Sequence, residues 1–218
     1  MLPAIGYYVT PFGIEGSPSI CDKIAGIHDP FYHFTHAPPS LFENLLERDD
    51  YQFLYQIRDP RDSVISWAYH EISTGNAKGE EDIENLIQYI ILSKFCLTEH
   101  IQRAREWYAM GDKVFRISFD QTKSDKKLVI NNILEFLNIS HLINPGDVDD
   151  ALTEFSDSRY RETLKAKEHR LYELNLVREK RGISGAWENG LSAANKLLFK
   201  KVAGDFLIEL GYERDFNW

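Results

Sequence analysis

The sequence predicts an α/β fold built on a parallel sheet, and three stretches carry that prediction. Tyr51–Ile57 is a run of aromatic and branched residues, as in a buried strand, that stops at Arg58-Asp59-Pro60-Arg61-Asp62, where a helix can begin. Apolar residues at near-helical spacing over Glu80–Tyr108 are followed, after Gly111, by a second strand-like run, Lys113–Phe119. A further helical pattern, Ser124–Leu137, comes next, with Leu128, Ile130, Ile133, Leu134 and Leu137 inward and Ser124 as its cap. Strands that alternate with helices favour parallel pairing, and such folds bind ligands at the carboxyl ends of their strands.

The junction after the first strand organises the rest of the chain. Asp59 suits an N-cap and Pro60 the first helical position, so strand, tight turn and helix follow one another directly, with Val64, Trp67 and Ala68 on the buried side. Free backbone N–H groups and the positive end of a helix dipole then stand at a sheet edge, where anions bind. Arg58 ends the strand, and a guanidinium in that place can hold a phosphate through two parallel hydrogen bonds. Ser66, about two turns into the helix, can bring a hydroxyl to the same place. The charges allow a second reading, in which Arg58 and Arg61 pair with Asp59 and Asp62 on the surface.

Composition narrows the class. The 218 residues suit one domain, and 43% apolar with 27% charged content is that of a globular protein. A net charge of −9 argues against a general nucleic-acid binder, so a nucleotide site has to be a local basic patch. Cys21 and Cys96 are two thiols without a disulfide framework, and no apolar run approaches the ~20 residues needed to span a bilayer. The expectation is a cytoplasmic protein with no membrane partner, no metal, and an oligomeric state left open between monomer and homodimer.

In chain order, Met1–Pro30 is broken by Pro11, Gly13, Gly16 and Pro18 and reads as irregular, with one short strand near Ile5–Val9. Phe31–Pro38 is an aromatic strand running into prolines, and Leu41–Arg48 a short helix. Ser73–Gly79 is a polar loop of the kind that borders a substrate pocket. Glu80–Tyr108 reads as one long amphipathic helix, Asp147–Phe155 as a short one, and Leu191–Leu210 as an amphipathic helix that closes the fold. The stretch Arg159–Arg181 is locally basic in an acidic chain, and Gly182 beside Lys180 and Arg181 lets a backbone approach a phosphate without a Cβ in the way.

Two motifs carry a resemblance to a known family. Arg58-Asp59-Pro60-Arg61-Asp62 with Ser66 resembles the 3′-phosphate-binding segment of the sulfotransferases that use 3′-phosphoadenosine 5′-phosphosulfate (PAPS). Lys180-Arg181-Gly182-Ile183-Ser184-Gly185-Ala186-Trp187-Glu188-Asn189 resembles the Arg-Lys-Gly-x-x-Gly-x-Trp-x-Asn segment of the same family; the alternative is a basic loop after a helix. A shorter match, Thr35-His36-Ala37-Pro38, resembles the Lys-Thr-His-x-Pro segment whose histidine is the general base. Without the family, the preferred reading of His36 is a histidine tucked at a strand end for hydrogen bonding. Phe34 stands where the family often has a lysine. Thr153-Glu154-Phe155 resembles a Thr-Ser-Phe segment near the adenine, and Phe155 is also acceptable as core. In the strand Lys113–Phe119, Ser118 takes the place of a nucleotide-contacting tyrosine and Asp120 is kept.

The resemblance runs from about Phe31 to the C-terminus and implies a single domain, 1–218, with a three-layer fold of the P-loop type. It implies transfer of a sulfuryl group from PAPS to a hydroxyl or amine of a small-molecule acceptor, leaving adenosine 3′,5′-bisphosphate. His36 would be the base; Arg58, Ser66, Lys180, Arg181 and Gly182 would hold the 3′-phosphate; Thr153 and Phe155 would lie at the base. The family's Pro-Lys-Ser-Gly-Thr-Thr-Trp loop, which cradles the 5′-phosphosulfate, is not found in the sequence. Either the first strand, loop and helix of the fold lie outside this chain or that contact has been given up. The alternative function is a sulfotransferase-like protein that binds the nucleotide without transfer. A P-loop kinase is disfavoured, since no Gly-Lys-Ser/Thr is present.

Overall fold

The computed structural model describes residues 8–9, 31–32, 37–74, 83–154 and 183–218. Its strands are β1 (Tyr8–Val9), β2 (Phe31–Tyr32), β3 (Phe53–Ile57) and β4 (Val114–Ser118). They pair in parallel, β1 with β2 and β3 with β4, the latter in a register that sets Phe53 beside Val114 and Ile57 beside Ser118. Parallel pairing requires a crossover, and helices supply it between β3 and β4: α2 (Pro60–Thr74), α3 (Ile83–Leu92) and α4 (Glu99–Ala109). Before β3, a 3₁₀ turn at Pro39–Phe42 leads into the short α1 (Glu43–Leu46), close to the helix read over 41–48. After β4 come α5 (Phe119–Ser124), α6 (Lys126–Phe136) and α7 (Pro145–Glu154); α8 (Trp187–Gly190) and α9 (Ala193–Glu209) close the chain.

Alternation along β3 and β4 gives the sheet two covered faces, so the three-layer α/β expectation holds. Phe53 and Tyr55 point to one face, where both rings lie 5.9 Å from Trp107 of α4, Tyr55 nearly parallel to it at 18°. The Trp107 indole N–H donates to Ala37 O at 3.1 Å, so its polar end is satisfied within the apolar cluster. Phe115 points to the opposite face and meets Phe136 of α6 at 5.1 Å. The larger core lies beside this sheet, where α2, α3, α4 and α9 bring together Val64, Ala68, Ile91, Ala104, Phe199 and Leu207. Among the described residues no helix is long and apolar enough to cross a membrane.

Three expectations change in detail. The helix read over Glu80–Tyr108 is interrupted: α3 closes at Ser93, whose N–H donates to Tyr89 O at 2.8 Å, and a π-helical segment, Lys94–Thr98, precedes α4. The two halves have different neighbours, α3 packing on α2 and α9, and α4 on β4 and the Pro39–Phe42 turn, which one straight apolar stripe does not serve. The cap of α6 is Asp125, whose side chain accepts from Leu128 N at 2.9 Å, while Ser124 ends α5 and donates to Gln121 O. Leu134 is buried as the pattern predicts and Val129 is buried as well, whereas Leu128 is exposed. The polar stretch 73–79 begins inside α2, which runs to Thr74; residues 75–82 lie outside the described residues.

Candidate functional site

Asp59, Pro60 and Arg58 take the places the sequence predicts at the β3–α2 junction. Pro60 is the first residue of α2; Asp59 Oδ1 accepts from Arg61 N at 2.8 Å, and Ser63 N donates to Asp59 O at 3.0 Å. Arg58 follows the last residue of β3, its side chain 14% exposed. Its Nη2 donates to Ile183 O at 2.7 Å, and its guanidinium carbon lies 4.7 Å above the Phe119 ring. Arg58 Nε is buried with no hydrogen-bond partner among the described residues. A buried guanidinium N–H without an acceptor costs free energy until something accepts from it, which suits a site for an anion.

The structure brings the second motif to the first. Asp62, its side chain fully buried, accepts from Gly185 N at 2.9 Å through Oδ2 and from Trp187 N at 2.8 Å through Oδ1. Burial pushes the Asp62 carboxyl above its ordinary range, against the two backbone donors and Arg58, which pull it down. Gly185 has φ +77°, the left-handed region that favours glycine, and this turn aims both N–H groups at one carboxylate. Asp120, in the first turn of α5 just past β4, accepts from the Ser184 hydroxyl and, at 3.1 Å, from Tyr212 OH. Burial first, and then the Asp120 charge and hydrogen bond, push the Tyr212 phenol well above its ordinary value. Ile183–Trp187 is thus fastened to the ends of β3 and β4 and to the start of α2.

Arg61 does a different job from Arg58. It is 2% exposed, donates from Nε and Nη2 to Asp59 at 3.0 and 2.7 Å, and reaches Glu213 from Nη1. Its guanidinium carbon lies 3.6 Å from the Trp187 ring centre and 4.6 Å from that of Trp218, and the two indoles meet edge to face at 84°. Gly211, at φ +76° after α9, turns the C-terminal residues back toward this cluster. The surface-pair reading therefore fails for Arg61, whose pair with Asp59 is buried beneath two tryptophans. For Arg58 only a loose contact with Asp62 remains, at 3.8 Å.

Ser66 is half-buried on α2. Thr153 is exposed on α7, its hydroxyl donating to Asp149 O at 2.9 Å within its own helix. His36, Phe155, Lys180, Arg181 and Gly182 lie outside the described residues. An open groove of about 320 Å³ runs between the sheet and α6–α7, lined by Gln56, Ile117, Lys126, Ile133 and Leu152 among others. Sequence reasoning passed over Asp62, weighing it only as a surface partner. Its position four residues after Arg58, inside the same motif, was the available signal.

A parallel strand followed by a half-buried arginine at a helix start, with a glycine turn fastened beside it, defines an α/β protein with a guanidinium held at its sheet edge. The family model described as Sulfotransferase domain matches residues 21–210, and the chain belongs to that family. It is 21% identical over 181 residues to a guinea-pig (Cavia porcellus) 3-beta-hydroxysteroid sulfotransferase, covering 80% of this chain and 62% of the relative. To Sulfotransferase 2A1 of Macaca fascicularis it is 23% identical, covering 84% of this chain and 66% of the relative. The chain thus spans just under two thirds of the length of these curated relatives. Mouse sulfotransferase SULT7A1, solved with PAP, superposes with a TM-score of 0.71 at 18% identity over 97% of this chain and 81% of that one. Retinol dehydratase, solved with retinol and PAP, gives 0.67 at 17% identity over 85% of this chain and 56% of that one. These likenesses establish the fold.

Proposed function

We propose that the protein transfers a sulfuryl group from PAPS to a hydroxyl or amine of a small-molecule acceptor. The observation that carries the reading is Arg58: an arginine at the carboxyl end of a parallel strand, its Nε buried without an acceptor among the described residues, with the Ile183–Trp187 segment against it. Guanidinium and helix start together suit the 3′-phosphate of the nucleotide. Arg58 and Ser66 would hold that phosphate, with Lys180, Arg181 and Gly182, which directly precede Ile183 in the chain, closing on it. Thr153 and Phe155 would lie at the base, and the lining of the groove reaches Leu152, the residue before Thr153. That two of the solved neighbours hold PAP, adenosine 3′,5′-bisphosphate, agrees with this assignment.

PAPS, when bound, supplies an activated sulfuryl group whose bond to the 5′-phosphate oxygen breaks as the acceptor attacks. This chain's part is to orient the nucleotide by its 3′-phosphate and to take the acceptor's proton. His36 would accept that proton, imidazole being the side chain best suited to general-base work near neutral pH. Positioning and charge stabilisation would supply most of the rate, as in phosphoryl transfer.

The test is incubation with radiolabelled PAPS and a panel of hydroxyl and amine acceptors. Label should pass to an acceptor with the wild type, and His36→Ala should slow it by about 10²–10⁴-fold, the usual worth of a general base. PAP binding without transfer to any acceptor would replace this reading with the non-catalytic one, and failure to bind PAP would remove both.

A further inference from the structure

Asp62 is a costly residue to keep. Its carboxylate is fully buried, its pKa is raised, and it lies in the first turn of α2 without serving that helix's own N–H groups. Both oxygens are spent on donors 123 and 125 residues away in sequence, Gly185 N and Trp187 N. Gly185 at φ +77° followed by Ala186 at φ −58°, ψ −24° makes the left-right backbone pair that forms an anion-binding nest, and here the anion is the chain's own side chain. Asp62 Oδ2 is at the same time 3.8 Å from Arg58 Nη2, and Arg58 donates to Ile183 O, two residues before the nest. Asp62 therefore links the arginine at the end of β3 to the segment that leads back to Lys180-Arg181-Gly182.

We propose that Asp62 is a positioning residue for 3′-phosphate recognition: by filling the Gly185–Trp187 nest it fixes the Ile183–Trp187 segment against Arg58 and so holds that guanidinium where the phosphate is received. This rests on the nucleotide-site reading above. Two physical effects oppose each other when the carboxylate is removed. Loss of a negative charge beside Arg58 strengthens attraction for any anion. Loss of the nest occupant releases the segment, because an asparagine offers one acceptor oxygen to two donors and turns an N–H group toward the other. The proposal requires the second effect to win.

Calorimetry of the wild type and Asp62→Asn with PAP and with AMP, which lacks the 3′-phosphate, decides between them. The wild type should prefer PAP. Asp62→Asn should weaken PAP by about tenfold, within the usual range of couplings between sites, and leave AMP unchanged, so that the preference shrinks. A purely structural role would weaken both nucleotides alike, and unchanged or tighter PAP binding would likewise overturn the proposal. A wild type that binds PAP and AMP equally would instead remove the nucleotide-site reading on which it rests. Should Asp62→Asn not fold, amide exchange in the wild type gives the same answer. Gly185 and Trp187 N–H should exchange more slowly with PAP than with AMP, and identical rates would count against the coupling.

Discussion

Replacing Arg61 by methionine, which keeps most of the volume and removes the charge, should be among the most damaging single changes in the chain. Arg61 is 2% exposed and Asp59 5%, so the substitution leaves the Asp59 carboxylate buried without its cation and frees Glu213. Removing one partner of a buried pair costs about 3–5 kcal/mol. The arginine faces on Trp187 and Trp218 would be worth about 1–2 kcal/mol more when desolvated, but the terms share one group and do not simply add. Asp59 keeps its bond to the backbone N–H of residue 61, so the α2 cap survives and the loss belongs to the cluster. At about 2–4 °C per kcal/mol for a chain of this size, the melting temperature should fall by roughly 6–20 °C. Thermal unfolding followed by circular dichroism, with urea titration for ΔG, measures it. The triple change Asp59→Asn, Arg61→Met, Glu213→Gln should recover part of the loss by leaving no unpaired charge. A fall of less than about 2 °C in Arg61→Met would refute the claim that this cluster holds the C-terminal residues to α2.

Other outcomes follow from the same geometry. Burial pushes the Tyr55 phenol up to about 12, so its folded value lies above the unfolded one near 10. Its stabilising contribution is then complete below about pH 10 and lost as pH rises through about 12, at most about 2–3 kcal/mol. Relative to Tyr55→Phe, the wild type should weaken across that window in alkaline urea titrations, and parallel curves would show that the phenol is not desolvated. At α6, Asp125→Ala should cost about 1 kcal/mol and Ser124→Ala clearly less, since Asp125 caps the helix. Equal losses would return the cap to Ser124.

The junction at 58–62 was readable because its signals are local: a strand that stops, an N-cap, a proline at the first helical position. Asp59, Pro60, Val64 and Ala68 all take their expected places for that reason. Periodicity also found the helical content of 83–109, but it reports which residues share a face and not which partner each half will meet, so the π segment at 94–98 was invisible. Leu128 was assigned inward because Leu128 and Val129 are adjacent apolar residues about 100° apart on the helix, and pattern alone does not say which of them faces the core. The roles of Arg61 and Asp62 were out of reach of local pattern. Their partners are Trp187, Trp218, Glu213 and Gly185, more than a hundred residues on, and adjacent opposite charges look the same in sequence whether they lie under water or under two indoles. The resemblance named the family, and the carboxylate that joins the 58–62 and 183–187 segments emerged from their geometry.

The most direct measurement of the central claim is calorimetric titration of the wild type and Arg58→Ala with PAP and AMP. Among the described residues Arg58 has the loose 3.8 Å contact with Asp62, one bond to Ile183 O and its place over the Phe119 ring to lose, so the variant should stay folded, within about 2 kcal/mol of the wild type. The account predicts that PAP binds the wild type well above AMP and that Arg58→Ala loses about 2–3 kcal/mol of PAP affinity, roughly 30- to 150-fold, with AMP little changed. A folded Arg58→Ala that binds PAP as the wild type does would contradict it.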